Sequence, residues 1–323
     1  MDKEDLFDMS SDSLEDVEPY SELMDLSGKV AVVSGSVGLA MFVVNRLAEL
    51  GAKVVFGARS EEWGEMATEA LEDLGRKDVV FHPYDTRNVA ASEELVKFAE
   101  ETFGPVDICV PVAATWQARA FLAMDEELYD DVVDTDMKGQ YFLVQACARS
   151  MVRAKHGGKI VTIASVAYRG EDMTKLAMMT HYNAAKAGVI GMTRGIAKEL
   201  KQYGINVNCV APGAMVTPGA IANCLETTER YGQEWQHDQM SLSDAPVAST
   251  PDMMARMIVA MCTGISDFMY GKVIDVDGGA GLSFQEKPWS YTMEGGLRGD
   301  NYLVCWSCPR ESREATPRVK LHT

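Results

Sequence analysis

The architecture follows from one stretch near the N-terminus, Lys29-Val30-Ala31-Val32-Val33-Ser34-Gly35-Ser36-Val37-Gly38-Leu39-Ala40. A β-branched apolar run ends there in a glycine-containing turn, and an apolar helical stretch follows. Glycines at such a turn let the backbone approach a pyrophosphate, which then lies at the positive N-terminus of the helix. The pair Gly35 and Gly38 is a weak signal alone, but its place after the first strand favours dinucleotide binding over a plain turn. The predicted cofactor contacts of this turn are Gly35, Ser36 and Gly38.

The same alternation of strand and helix continues along the chain. Strands are predicted near 29–34, 53–58, 79–82, 106–112, 158–164, 206–210 and 272–276. Helices are predicted near 39–50, 61–75, 88–103, 126–154, 179–203 and 251–263. This order predicts an α/β fold of the Rossmann type, a doubly wound parallel sheet of about seven strands with helices on both faces.

Three segments are predicted. Residues 1–27 are acidic and form an N-terminal arm, with a short helix at 19–26. Residues 28–282 form the dinucleotide-binding and catalytic domain, within which 214–250 are too long for a simple connection and form a lid. Residues 283–323 are rich in aromatic side chains and form a C-terminal extension that packs on its own subunit or on a neighbour.

Charge and composition exclude several classes of partner. The net charge of −18 and pI of about 4.7 give no electrostatic footprint for nucleic acid or an anionic membrane. No apolar run has membrane-spanning length, and the start of the chain lacks the pattern of a secretory signal. Scattered cysteines in apolar surroundings suggest reduced thiols and a cytoplasmic protein. Cys305 and Cys308 have the spacing of half a zinc site, but without a second pair nearby no metal site is predicted.

A phenol and an ammonium stand one helical turn apart at Tyr182 and Lys186. Residues four apart share a helix face, and a fixed cation within about 4–6 Å favours the phenolate, since a phenol titrates near ~10 in water. The pair therefore suits general acid/base chemistry near neutral pH. The spacing is common in structural helices as well, so the rest of the chain has to support this interpretation.

The cofactor preference is predicted from the end of the second strand. Arg59 and Ser60 stand where a fold that selects NAD would place an acid for the ribose hydroxyls. A cation and a hydroxyl suit a 2′-phosphate, so NADP(H) is favoured over NAD(H). The alternative is that Arg59 faces solvent while Glu61 or Glu62 contacts the ribose, which would suit NAD.

With these motifs in place, residues 29–282 resemble the short-chain dehydrogenase/reductase family. Asp85 matches the family's adenine contact, and Ser165 its catalytic serine. Ala113 lies where the family has Asn-Asn-Ala-Gly. Residues 208–213, which include Pro212 and Gly213, resemble the stretch of the family that contacts the nicotinamide. Thr217 belongs to the same stretch. Residues 271–279 resemble the last strand.

The resemblance implies reversible hydride transfer between the nicotinamide and a carbonyl or carbinol carbon. Tyr182 would exchange the hydroxyl proton, Lys186 would lower its pKa and hold the nicotinamide ribose, and Ser165 would hydrogen-bond the substrate oxygen. Asp136 stands where many members have a catalytic Asn. The pH of alcohol oxidation is therefore expected to be shifted upward, although Asp136 bracing its helix is an equal alternative. Homotetramers or dimers are common in such a family.

Several departures from the family pattern support a rival hypothesis. The glycine turn is one residue short with Ala40 as its third glycine, Pro111-Val112 departs from the family pattern in the fourth strand, and Asp136 replaces the catalytic Asn. A further departure, four additional residues between Ser165 and Tyr182, can be absorbed as a bulge at 170–176. A fold that binds cofactor but has lost turnover would act as a scaffold. An extended sugar-nucleotide epimerase is less favoured, because Pro212-Gly213 resembles the simpler reductases.

The substrate is predicted to be a small molecule with a bulky apolar body. Methionines at 173, 178 and 179 precede Tyr182, and others at 215 and 240 flank the predicted lid. A steroid-like, terpenoid or long oxoacyl compound would fit, as for a hydroxysteroid dehydrogenase-like or 3-oxoacyl reductase-like enzyme. The alternative is that these methionines fill the core.

Overall fold

The computed structural model describes residues 17–170, 178–231 and 249–279. Its strands are β1 (Val30–Ser34), β2 (Lys53–Ala58), β3 (Val79–Pro83), β4 (Ile108–Pro111), β5 (Gly158–Ile163), β6 (Ile205–Pro212) and β7 (Val273–Val276). They form one parallel sheet in the order β3-β2-β1-β4-β5-β6-β7, which confirms the predicted fold. The order reverses between β1 and β4, where folds of this kind bind ligands beyond the carboxyl ends of the strands.

Helices connect these strands and cover both faces of the sheet. They are α1 (Tyr20–Leu23), α2 (Leu39–Glu49), α3 (Glu61–Asp73), α4 (Val89–Thr102), α5 (Glu126–Val133), α6 (Gly139–Ala154), α7 (Thr180–Leu200), α8 (Pro218–Tyr231) and α9 (Pro251–Ala260). Side chains of a strand alternate between faces. Ala31 and Val33 accordingly pack with α2 and α9, whereas Val32 packs with α4 and α6.

The predicted helix at 126–154 is interrupted. Between α5 and α6, residues Asp134–Lys138 form a turn of π-helix. Such a turn holds one residue more than an α-helical turn and changes the direction in which the following side chains point. Hydrophobic periodicity does not reveal a single wider turn, so the sequence predicted one continuous helix.

The structure describes two other predicted segments in part. The acidic arm is tied to the fold before Lys29, because the apolar side chain of Leu26 is buried and its amide donates to the carbonyl of Leu50. The predicted lid at 214–250 contains α8, whereas 232–248 lie outside the described residues. The predicted bulge at 170–176 and the extension at 283–323 also lie outside them, apart from Gly170.

Candidate active site

The glycine turn leaves bare backbone at the start of α2. Gly35 and Gly38 both have positive φ, +106° and +58°, a conformation that favours glycine. A Cβ added to Gly35 would lie 2.8 Å from the Cβ of Ala40, so the methyl that replaces the third glycine is accommodated by the bare Gly35. Ser36 is buried in the same turn. The turn thus fits the pyrophosphate of a dinucleotide at a helix N-terminus.

The end of β4 is braced by a side chain of β1. The buried hydroxyl of Ser34 accepts a hydrogen bond from the backbone N–H of Ala113 at 3.0 Å. Pro111 pairs with Ser34 as the last residue of β4, where the amide it lacks ends the ladder. The backbone N of Ala113 also lies 3.7 Å from the position that a Cβ on Gly35 would occupy. Ala113 therefore borders the glycine turn.

The end of β6 lies close to the same turn. Gly213 donates its N–H to the carbonyl of Val276 on β7 at 2.9 Å. Pro212, the last residue of β6, is buried, and Thr217 follows at the start of α8, where its side chain lies over Gly38. The structure thus brings Gly35, Gly38, Ala113 and the 212–217 stretch to one edge of the sheet.

Arg59 and Asp85 follow β2 and β3, on the adjoining part of that edge. Asp85 pairs with Arg87 at 2.7 Å, and Arg87 also bonds Asp131 at 2.7 Å. The Arg87 hydrogen bonds lower the pKa of Asp85, and the nearby positive charge of Arg59 acts in the same direction. Arg59 is exposed, while the hydroxyl of Ser60 caps α3 by accepting the N–H of Trp63.

The predicted acid/base pair lies on α7 beneath the end of β5. The Lys186 ammonium is 5.4 Å from the centre of the Tyr182 ring and donates to the carbonyl of Ile163 at 3.2 Å. Lys186 is 1% exposed, so its charge acts in a medium with little water. Ser165 follows β5, and its hydroxyl interacts with the Tyr182 phenol. Ser165, Tyr182 and Lys186 are therefore brought together.

The buried carboxylate of Asp136 completes this group. Its Oδ1 accepts the N–H of Thr115 at 2.8 Å, and its Oδ2 lies 3.8 Å from the Lys186 Nζ. Burial raises the pKa of Asp136 to about 6, against the opposing effects of Lys186 and the Thr115 amide. Burial likewise raises the pKa of Tyr182; the Asp136 charge adds to this, and the hydrogen bond with Ser165 reduces it.

Two features that position Asp136 were not predicted. The side-chain amide of Gln140 donates to the carbonyls of both Asp136 and Ile163 at 2.9 Å, which ties the π-helical turn to β5. Met137 of that turn packs against Gly188 of α7, where a Cβ would lie 2.3 Å from the methionine sulfur. A buried Gln four residues after an Asp has no distinctive sequence signal, and the π-helical turn has none either.

Comparisons with known proteins agree with this geometry. A sequence model of the family described as short chain dehydrogenase matches residues 29–225. A hydroxy(phenyl)methylsuccinyl-CoA dehydrogenase subunit from Thauera aromatica is 34% identical over 80% of this chain and 99% of its own. A 3-oxoacyl-(acyl-carrier-protein) reductase from Chlamydia muridarum is 32% identical over 79% and 98%, respectively. Galactitol 2-dehydrogenase from Agrobacterium fabrum is 30% identical over 80% and 100%.

Solved structures are similar as well. An actinorhodin polyketide ketoreductase variant crystallised with NADPH has a TM-score of 0.71 and 27% identity, covering 79% of this chain and 98% of its own. A short-chain type dehydrogenase/reductase from Mycobacterium marinum has a TM-score of 0.72 and 26% identity, covering 82% and 100%.

The chain belongs to the short-chain dehydrogenase/reductase family, and it is an NAD(P)-dependent oxidoreductase acting on CH–OH or C=O groups. Within the described ranges, no helix combines the length and apolar character needed to cross a bilayer.

Proposed function

We propose that this chain transfers a hydride between NADP(H), in preference to NAD(H), and the carbonyl or hydroxyl group of a bulky apolar substrate that is steroid-like, terpenoid or oxoacyl. The observation that supports the proposal most is the grouping of the half-buried Ser165 and Tyr182 with the buried Lys186. The named relatives act on a CoA thioester, a carrier-bound oxoacyl group and a polyol, so they share the chemistry rather than one substrate.

When bound, the nicotinamide supplies or accepts the hydride, and Gly35, Ser36, Gly38, Ala113, Pro212, Gly213 and Thr217 would hold the cofactor along the sheet edge. In reduction, Ser165 donates a hydrogen bond to the carbonyl oxygen and Tyr182 transfers its phenolic proton to that oxygen. Lys186 stabilises the resulting phenolate through its fixed positive charge. In oxidation the same proton moves back to Tyr182.

In the proposed mechanism, Asp136 reduces the effect of the Lys186 charge on the pKa of Tyr182. Its carboxylate lies close enough to Lys186 to offset part of the field that favours the phenolate. Oxidation of alcohols, which needs the phenolate, therefore moves to higher pH. Reduction, which needs the phenol, stays active to higher pH for the same reason.

The apolar substrate is supported by the residues that lead into α7. Met179 is buried and Met178 is half-buried, directly before the helix that carries Tyr182. Met215 packs partly against the core instead, as the alternative interpretation expected. Met173 and Met240 lie outside the described residues.

The preference for NADP(H) is supported by the exposed Arg59 at the end of β2. A guanidinium suits a 2′-phosphate. Asp85, which we propose as an adenine contact, is held in place by Arg87 and leaves Arg59 outside that ion pair. Glu61 and Glu62 are exposed in the first turn of α3, and their charge is the feature that would favour NAD instead.

The proposal is tested by following nicotinamide absorbance while the purified chain is supplied with NADPH or NADH and a panel of ketones. The expected result is turnover of apolar ketones, faster with NADPH, and a loss of kcat of about 10²–10⁴-fold in Tyr182→Phe. Cofactor binding without turnover of any ketone or alcohol would favour the scaffold hypothesis instead.

The proposed assembly is a homotetramer or dimer, in which residues 283–323 cover a neighbouring pocket and 214–250 close over the substrate. The cytoplasmic location also stays a prediction.

A further inference from the structure

The segment from Thr115 to Ala120 follows β4 and is hydrogen-bonded to Asp136, to the start of α7 and to the end of α8. The amide of Thr115 donates to Asp136, the amide of Arg119 donates to the Met178 carbonyl at 2.8 Å, and the amide of Ala120 donates to the Tyr231 hydroxyl at 3.3 Å. Three separate parts of the site hold it: the buried carboxylate, the entry to α7 and the end of α8. The backbone of this segment therefore runs between the start of α7 and the end of α8, and the Arg119 side chain reaches Asp125 at the N-terminus of α5.

Arg119 is largely buried and incompletely paired. Its side chain is 16% exposed, and its terminal NH1 group donates to Asp125 at 2.8 Å. The Nε atom is buried, and no acceptor in residues 17–170, 178–231 or 249–279 lies in hydrogen-bond geometry with it. A guanidinium N–H without an acceptor is costly, since hydrogen bonds to charged groups are among the strongest in proteins.

His181 lies beside Arg119 and directly precedes Tyr182. It is 2% exposed, and neither ring nitrogen has a hydrogen-bond partner among the described residues. Burial lowers the pKa of His181; the nearby Gln117 carbonyl, which is not in hydrogen-bond geometry with the ring, opposes this, and the positive charge of Arg119 adds to it. The ring is therefore neutral at neutral pH and has one N–H to donate.

Unpartnered nitrogens are concentrated in this one place. Of the five buried side-chain atoms without a partner in the described ranges, three belong to Arg119 and His181. Both side chains offer donors, and one carries a permanent positive charge. Paired N–H groups on a guanidinium match the two oxygens of a carboxylate. A neutral apolar substrate alone would leave these donors unsatisfied.

Building on the proposed function, we infer that Arg119, assisted by His181, binds a carboxylate on the substrate at a position away from the reacting carbonyl. The substrate is then an apolar ketone or alcohol with an acidic end. Arg119 determines specificity, and His181 contributes a neutral donor beside the catalytic tyrosine. Asp125 pairs with NH1, and the carboxylate of the ligand would supply the acceptor that the buried Nε lacks.

The test compares a ring ketone that bears a carboxylate side chain with its methyl ester. The wild-type chain with NADPH is expected to favour the acid in kcat/KM by about 10- to 100-fold, the range expected for a charged hydrogen bond. Arg119→Met should remove this preference by raising KM for the acid, with a much smaller change in KM for the ester and in kcat. Arg119→Lys should restore part of the preference, and His181→Gln, which keeps a donor, should retain most of it.

Arg46→Met is the matched control, because Arg46 is also partly buried and also paired with an aspartate, Asp252. Arg46 lies on α2, well before Arg119 in the chain. The control variant should keep the acid preference of the wild type. An equal acid-to-ester ratio in wild type and Arg119→Met would overturn the inference, as would a wild-type enzyme that favours the ester.

A binding measurement separates this inference from the proposed function. With NADP⁺ present, the carboxylate should raise the melting temperature of the wild type and of Arg119→Lys more than that of Arg119→Met. If no ketone is turned over but this difference remains, the proposed function fails and the carboxylate site stands. If ketones are turned over and the difference is missing, the carboxylate site fails alone.

Discussion

The carboxyl group of Asp136 changes its charge close to neutral pH, because burial raises its pKa to about 6. Above that pH it carries a negative charge near Lys186 and raises the pKa of Tyr182. Below it the carboxyl group is protonated and this effect on Tyr182 ends. The proton chemistry of the site thus depends on two titrations, one of which an asparagine would lack.

Asp136→Asn should lower the pKa of Tyr182, since the amide carries no charge to oppose the phenolate. We expect the pH profile of alcohol oxidation to move about one pH unit lower, and the alkaline decline of ketone reduction to move with it. The wild type and the variant should converge below about pH 6, where Asp136 is protonated. Kinetic pH profiles in both directions measure this. An unchanged profile would assign Asp136 a bracing role only.

Arg59→Glu should reverse the preference for the cofactor. The acid would repel a 2′-phosphate and accept hydrogen bonds from ribose hydroxyls. We expect KM for NADPH to rise about 10- to 100-fold while KM for NADH stays level or falls. Steady-state kinetics with both cofactors measure the ratio. Arg149→Glu, which breaks an exposed ion pair with Glu93 on α4, is the control and should not change this ratio. An unchanged KM for NADPH in Arg59→Glu would mean that Arg59 does not contact the cofactor and would favour a ribose contact by Glu61 or Glu62.

Helix α8 contacts the segment 115–120 through one described hydrogen bond, from the Ala120 amide to the Tyr231 hydroxyl. Tyr231→Phe removes that acceptor and keeps the ring. We expect KM for the ketone to rise a few-fold, consistent with the loss of about 1 kcal/mol, while Tyr182 chemistry and kcat stay close to wild type. If KM for the ketone does not change, α8 does not help to hold the substrate, and the proposed lid is wrong.

Strands and long helices could be predicted because their pattern repeats over many residues. Val32 and its neighbours alternate between two cores, and the run from Lys29 to Ala40 contains strand, turn and helix in order. The shared helix face of Tyr182 and Lys186 could be predicted because their spacing matches one helical turn. The π-helical turn at Asp134–Lys138 was not, since one additional residue leaves no periodic signal.

Contacts between distant parts of the chain were also beyond prediction. Arg119 and His181 are far apart along the sequence, and the fold brings them together where the Arg119 amide bonds the Met178 carbonyl. Gln140 is similar, since its role depends on two carbonyls on different elements. Such pairings are set by sheet order and packing, which a local pattern does not contain.

The whole chain carries more than the family fold, since residues 283–323 extend beyond the predicted domain at 28–282. A variant truncated after Leu282 should change either the assembly or the KM for the ketone, if the extension covers a neighbouring pocket. Light scattering coupled to size exclusion measures the first and steady-state kinetics the second. A truncated protein with unchanged mass and kinetics would assign the extension no part in either.

The segment from Thr115 to Ala120 has a consequence for the catalytic cycle. It is bonded at one end to Asp136 and at the other to Tyr231. If the proposed lid opens at α8 to release product, loss of the hydrogen bond between Ala120 and Tyr231 would free the segment that carries the Thr115 amide, whose hydrogen bond lowers the pKa of Asp136. Product release and the proton affinity of the buried carboxylate would then be thermodynamically linked, so slow product release would change with pH even where the chemical step is fast.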